Sequence, residues 1–245
     1  MTRIKICGVT RPKDALLAAE LGAWAVGLVF HPDSPRACPL GQAAQIAAEV
    51  GRSVALTGVF VNAPLDDVAR VVDRTGLSIL QLHGDEGPAY CEAAARRTGC
   101  RIMKAVRVRG GADVRALSAF RHVDLHLLDA HVEHARGGTG QTFDWSLVRR
   151  HRSSRLPLVL AGGLVPENVG EAIATVRPWA VDTASGTESR PGRKDAGRVR
   201  AFFAAVAEAS AGAPAEPAEA DETADLEAET LARPPMGRSA ARLIG

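Results

Sequence analysis

The sequence predicts an α/β fold, a single (β/α)8 TIM barrel, followed by a mostly disordered, acidic, Ala-rich C-terminal tail. Three observations carry the prediction. Short β-branched runs alternate with longer Ala/Leu/Glu/Arg stretches of helical spacing, eight times in the first 210 residues. Each run ends in glycine or a polar residue. Several runs also place polar residues on the inward face near their C-terminal ends, where barrels of this kind build active sites. A doubly wound open sheet is the structural alternative.

The strands are expected at 3–9, 25–30, 56–61, 78–83, 101–108, 125–130, 156–162 and 180–185. Helices are expected at about 12–22, 41–51, 65–75, 88–98, 112–119, 144–151, 166–175 and 195–209. Their starts carry N-terminal signals: Arg11-Pro12 with Asp14, Gly87-Pro88, and Val165-Pro166-Glu167. Strand alternation sets the faces. Ile4, Ile6, Leu80, Leu82, Leu128, Ala130, Val181 and Thr183 face the helices. Lys5, Cys7, Gln81, His83, Leu127, Asp129, Asp182 and Ala184 face the interior.

The two domains expected are a barrel over 1–210 and a low-complexity extension over 211–245. The extension holds seven acids and three arginines, a net charge of −4, which leaves +6 for the barrel out of the total of +2. So small a net charge argues for neither a nucleic-acid nor a membrane partner. No run approaches the roughly 20 apolar residues that cross a bilayer. The start resembles no secretory signal, because Arg3 and Lys5 flank only a short apolar stretch. The cysteines at 7, 38, 91 and 100 form neither a CxxC nor a zinc-like cluster. A cytoplasmic protein with reduced thiols is the expectation.

Three glycine-rich loops follow strands six to eight: GGTGQTFDW (137–145), LAGGLVPENV (160–169) and VDTASGTES (181–189). Backbone N–H groups beside glycine approach anions closely, and helix N-termini add partial positive charge. Three such loops at one barrel end point to a phosphate cup, although any one of them does no more than end a strand. Asp129 is a candidate general acid and Cys7 a candidate general base. Taken singly, Cys7 reads as a small buried hydrophobe and Asp129 as a structural partner for Lys5. Lys5, two residues away, is expected to bias the Cys7 thiol downward. Arg36, in HPDSPR, is suited to fork onto a substrate carboxylate, and a solvated loop arginine is the alternative. Gln81 and His83 are candidate substrate contacts, a satisfied barrel-mouth histidine being the alternative for His83. HVEHARGG (131–138) has the look of a metal motif but lacks further ligands, so no metal is expected.

The ordered segments KICGVT, GLVFHPDSPR, GVFVN, LQLHGDE, LLDA, GGTGQTFDW, LAGGLVPENV and VDTASGTES followed by PGRKD resemble the phosphoribosylanthranilate isomerases of tryptophan biosynthesis, from about Lys5 to Phe203. The resemblance implies an Amadori rearrangement of N-(5-phosphoribosyl)anthranilate without metal or organic cofactor. It implies Asp129 as general acid, Cys7 as general base and Arg36 on the anthranilate carboxylate. It implies phosphate held by the backbones around Gly140, Gly162, Gly163, Ser185 and Gly186, with Asp182 orienting the site. The implied partner is a small phosphorylated substrate, for a monomer or homodimer in contact with neighbouring pathway enzymes. One departure is visible: VDTASGTE stands where the family has VDVSSGVE, so Ala184 lacks a hydroxyl. The related histidine-pathway isomerase has an aspartate where Cys7 stands and needs a second phosphate cup, for which VNAPLDD and HGDEGPA are too acidic. A sugar-phosphate binder on the same fold would need no acid–base pair.

Overall fold

The computed structural model describes residues 1–129 and 156–211. Eight parallel strands close into one barrel in sequence order: β1 (Arg3–Ile6), β2 (Ala25–Val29), β3 (Ala55–Phe60), β4 (Ile79–Leu82), β5 (Arg101–Arg107), β6 (Leu125–Asp129), β7 (Leu158–Ala161) and β8 (Ala180–Thr183). The closing pair is β1–β8, with Lys5 opposite Asp182. Closure rules out the open-sheet alternative. The described helices are α1 (Pro12–Glu20), α2 (Leu40–Val50), α3 (Leu65–Thr75), α4 (Pro88–Thr98), α5 (Gly111–Ala116), α6 (Val169–Val176) and α7 (Ala196–Ala211).

Local chemistry sets the helix ends. Pro12 and Pro88 open α1 and α4, where a missing N–H removes only a donor the helix leaves unpaired. Asp113 caps α5: its carboxylate accepts the N–H of Arg109 at 2.8 Å and of Gly110 at 3.0 Å. The helix expected from residue 166 starts at Val169 instead. Residues 166–168 form a turn. The Asn168 carboxamide accepts the Val165 N–H at 2.9 Å and donates to the Gly163 carbonyl at 3.1 Å, fixing the turn that precedes the helix.

The strand faces follow the alternation. Ile4, Ile6, Leu80, Leu82, Leu128 and Val181 belong to the large core between strands and helices. Ala25, Ala55, Ile79, Met103, Ala105, Leu125, Leu127, Val159, Ala161 and Ala180 form a separate core inside the barrel. Trp24 and Trp179, each just before a strand, pack edge to face at 4.7 Å and plug the N-terminal end, with Arg3 over the Trp179 ring at 4.4 Å. The interior is therefore apolar at the bottom and polar at the top.

Sequence patterning misses a hairpin. Glu188–Arg190 (β9) and Arg193–Lys194 (β10) pair as an antiparallel hairpin around Pro191-Gly192, between β8 and α7. The stretch ESRPGRKD carries a Pro-Gly turn signal but too few apolar residues for the strand pattern.

Candidate active site

The β1 strand ends in a turn that serves two side chains. The ladder runs one bond beyond Ile6, the Cys7 N–H donating to the Thr183 carbonyl at 2.8 Å. Gly8 follows with φ +70°, and a Cβ there would lie 2.5 Å from Arg36 Cδ. Only glycine accepts both the left-handed backbone and the arginine stem across it. On β2, Gly27 faces the interior, and a Cβ there would fall 2.7 Å from Cys7 Sγ and 3.2 Å from Lys5 Nζ. The missing side chain makes room for the thiol and the ammonium.

Lys5 is fully buried and donates to Asp182 Oδ2 at 2.7 Å. Its partner is therefore Asp182 across the β1–β8 seam, and not Asp129, the partner considered from sequence. Burial opposes the Lys5 charge, yet Asp182 and Cys7 outweigh it and raise the ammonium above its ordinary pKa. For Cys7, burial dominates and pushes the thiol up. Lys5 pulls down, Asp182 pushes up and Lys194 pulls down. Lys5 does bias the thiol downward, as expected, but burial outweighs it and the net shift is upward.

Asp129 ends β6, on a strand three places from β1 around the barrel. Its Oδ2 lies 3.4 Å from His83 Nε2, an ion-pair distance without hydrogen-bond geometry. His83 Nδ1 lies 3.2 Å from Gln81 Nε2. The direction of that hydrogen bond follows the imidazole tautomer. Gln81, His83 and Asp129 thus form one line along the mouth. A cavity of about 520 Å³ opens beside it, lined by Asn62, His83, Lys104 and Arg107 among others.

Arg36 does not hang in solvent. Its Nε lies 2.9 and 3.0 Å from the two Glu188 oxygens, and its Nη2 donates to Oε2 at 2.7 Å. Ser34 Oγ accepts the Arg36 N–H at 3.1 Å. On the β7–β8 side, Thr183 Oγ1 donates to the Leu164 carbonyl at 2.8 Å and ties the Gly162-Gly163 turn to the end of β8. A Cβ on Gly186 would meet Leu164 O at 2.0 Å, so that glycine lets the two loops touch. Gly162, Gly163, Ser185 and Gly186 share this corner of the mouth. Gly140, its loop, HVEHARGG, the expected helix 144–151 and the tail beyond residue 211 lie outside the described residues.

Sequence reasoning passed over three side chains that join this set. Glu188 and Lys194 come from the hairpin. Thr57 comes from β3, and its hydroxyl has no hydrogen-bond partner among the described residues, like Gln81 Oε1 and Asp182 Oδ1. The Pro-Gly turn between Glu188 and Lys194 was the one signal near them, and it does not mark either side chain as buried. Cys38, Cys91 and Cys100 are buried free thiols away from this constellation. Among the described residues no group of three or more His, Cys, Asp or Glu is placed to hold a metal ion, and no helix is long and apolar enough to cross a membrane.

A closed βα barrel, apolar at one end and lined at the other by an inward thiol, an inward carboxylate and touching glycine loops, defines a (β/α)8-barrel enzyme with its site at the C-terminal mouth. The comparisons narrow the class. The family model for N-(5'-phosphoribosyl)anthranilate isomerase matches residues 4–205. The N-(5'-phosphoribosyl)anthranilate isomerase of Geobacter sulfurreducens is 48% identical over 205 residues, covering 83% of this chain and 97% of that protein. The crystal structure of phosphoribosyl anthranilate isomerase from Thermotoga maritima superposes with a TM-score of 0.79 at 41% identity, covering 85% of this chain and 100% of that one. A phosphoribosyl anthranilate isomerase in complex with reduced 1-(o-carboxyphenylamino)-1-deoxyribulose 5-phosphate gives 0.76 at 39%, covering 85% and 100%. The chain belongs to the N-(5'-phosphoribosyl)anthranilate isomerase family.

Proposed function

We propose that this chain converts N-(5-phosphoribosyl)anthranilate to 1-(2-carboxyphenylamino)-1-deoxyribulose 5-phosphate, with Asp129 as general acid and Cys7 as general base. The observation that carries the reading is the shared barrel mouth of an inward thiol on the β1 side, an inward carboxylate ending β6, and the β7–β8 glycine corner. Asp129 gives its proton to the ribose ring oxygen. The C1′–O bond breaks and the anthranilate nitrogen forms a protonated Schiff base. The Cys7 thiolate takes the C2′ proton, and the electron pair moves toward nitrogen to give an enolamine. Tautomerisation then yields the ketone, so the sugar is oxidised at C2′ and reduced at C1′ with no external oxidant.

The phosphate is held by the backbones of Gly162, Gly163, Ser185 and Gly186, together with Gly140. Arg36 faces the carboxylate of the anthranilate, pinned by Glu188 in a fixed orientation. Anchoring both ends leaves the reacting carbons little freedom, which is where orientation lowers the barrier. Gln81 and His83 are oriented toward Asp129, and Asp182 holds Lys5. We place the protein in the cytoplasm, as a monomer or homodimer.

The test uses substrate made in situ from anthranilate and phosphoribosyl pyrophosphate by a separate transferase, followed by loss of substrate fluorescence. Wild type turns over. Cys7→Ser and Asp129→Asn each lose about 10²–10⁴-fold in kcat, the usual contribution of a positioned acid or base. A folded Cys7→Ser protein with wild-type kcat removes the thiol from the mechanism.

A further inference from the structure

We propose that Lys194, on the hairpin after β8, is a positioning residue for the Cys7 thiolate: its buried ammonium is a second cation, beside Lys5, that keeps this thiol within reach of ionisation. The inference rests on the reading of Cys7 as base.

The geometry begins with charge balance. Charged groups reach Cys7 from three elements: Lys5 on β1, Asp182 on β8 and Lys194 on β10. Lys5 and Asp182 are one contact pair at 2.7 Å, and the carboxylate takes back part of the downward pull that Lys5 exerts on the thiol. Lys194 is different. Its Nζ donates to the Ala184 carbonyl at 2.8 Å and to Glu188 Oε1 at 3.2 Å, with the side chain fully buried. Ala184 packs in the small cluster of Cys7, Val29 and Val59 at the top of the barrel, so the ammonium sits against a residue touching the thiol's own surroundings. Glu188 is shared: Arg36 binds it through two nitrogens and the Gly192 N–H donates to it at 3.1 Å. One buried carboxylate between an arginine and a lysine leaves a net positive charge on the triad. Burial lowers the Lys194 ammonium below its ordinary pKa, with Glu188 and Cys7 opposing that drop, and its charge adds to the pull of Lys5 on the thiol.

The hairpin fixes the ammonium firmly. Lys194 N–H donates to Asp14 Oδ2 at 3.2 Å, and Asp14 is itself held by Arg11 through two nitrogens at 2.8 and 2.9 Å. Arg11 Nη2 in turn donates to the Lys194 carbonyl at 3.1 Å. Both backbone groups of Lys194 are thus tied to the start of α1, and its ammonium is held by Ala184 and Glu188.

The experiment measures the ionisation of Cys7 directly. Full-length wild type, Lys194→Met, Lys194→Arg and Glu188→Gln are alkylated with iodoacetamide across a pH series, and labelling of the Cys7 peptide is followed by mass spectrometry. A charge within about 4–6 Å shifts a pKa by roughly 1–3 units, so losing this second cation is expected to raise the thiol's apparent pKa by about 1 unit, an about 10-fold drop in thiolate at neutral pH. Lys194→Met is expected to show that rise, and Lys194→Arg to reverse most of it. Glu188→Gln is expected to shift Cys7 the opposite way, which general disruption of the fold would not do. An unchanged Cys7 profile in Lys194→Met, or a rise in Glu188→Gln, overturns the proposal whatever the activity does. If the thiol shifts as expected while kcat stays at the wild-type value, Lys194 acts on Cys7 as stated and the reading of Cys7 as base is what fails.

Discussion

Gly27 offers the most direct check on how tightly the site is built. Replacing it with alanine adds one methyl group to the barrel interior, 2.7 Å from Cys7 Sγ and 3.2 Å from both Cys7 Cα and Lys5 Nζ. Ordinary contacts between such atoms are about 3.5–4.0 Å, so the sulfur must move by roughly 1 Å. The backbone cannot yield easily, because the Cys7 N–H is bonded to Thr183 at 2.8 Å and Lys5 is bound to Asp182. Overpacking of this kind costs about 1–3 kcal/mol. For a domain of this size each kcal/mol lowers Tm by about 2–4 °C, so Gly27→Ala is expected to melt roughly 2–12 °C lower. A reacting group misplaced by 1 Å costs on the order of 10²-fold in rate. Thermal unfolding by circular dichroism and kcat from the fluorescence assay read the two effects separately. A Gly27→Ala protein with wild-type Tm and wild-type kcat would refute the reasoning, since the methyl group would then have space the packing denies it.

Two further outcomes follow from burial. Asp182→Asn strands the fully buried Lys5 ammonium. It is expected to cost about 3–5 kcal/mol by chemical denaturation, whereas Lys5→Met/Asp182→Leu, which removes both charges, costs less than the single change. Cys38 and Cys100 are each pushed up to about 11 from 9.0 by burial. The unfolded thiols therefore ionise first as pH rises, and stability falls between about pH 9 and 11. A Cys38→Ala/Cys100→Ala protein is expected to show a shallower decline over that window in urea titrations, and an equally steep one would locate the alkaline sensitivity elsewhere.

Period-two alternation was enough to divide the strand residues into helix-facing and interior sets. Ile4 and Ile6 fell on the right side, as did Lys5 and Cys7, because a pleated strand between helices and a packed interior leaves each side chain only two choices. The turn after β1 was legible as well, from the glycine at its end. The hairpin was not. Its strands are two and three residues long and carry charge, so their stability comes from Glu188 and Lys194 being buried against β8 and α1, contacts that no local pattern encodes.

The sequence by itself determined the repeating βα units, the strand faces and the ordered motifs that mark the family. Those depend on local periodicity and on residue identity at fixed spacing. Charge pairing was decided only by the closed tertiary structure. Closure brings β8 beside β1, so Lys5 meets Asp182 from 177 residues away rather than Asp129, and the returning hairpin carries Glu188 to Arg36 from 152 residues away. A buried charge takes whichever partner the fold brings to contact distance, because leaving it unpaired in the interior costs several kcal/mol. That partner is chosen by three-dimensional adjacency, which a linear pattern does not contain.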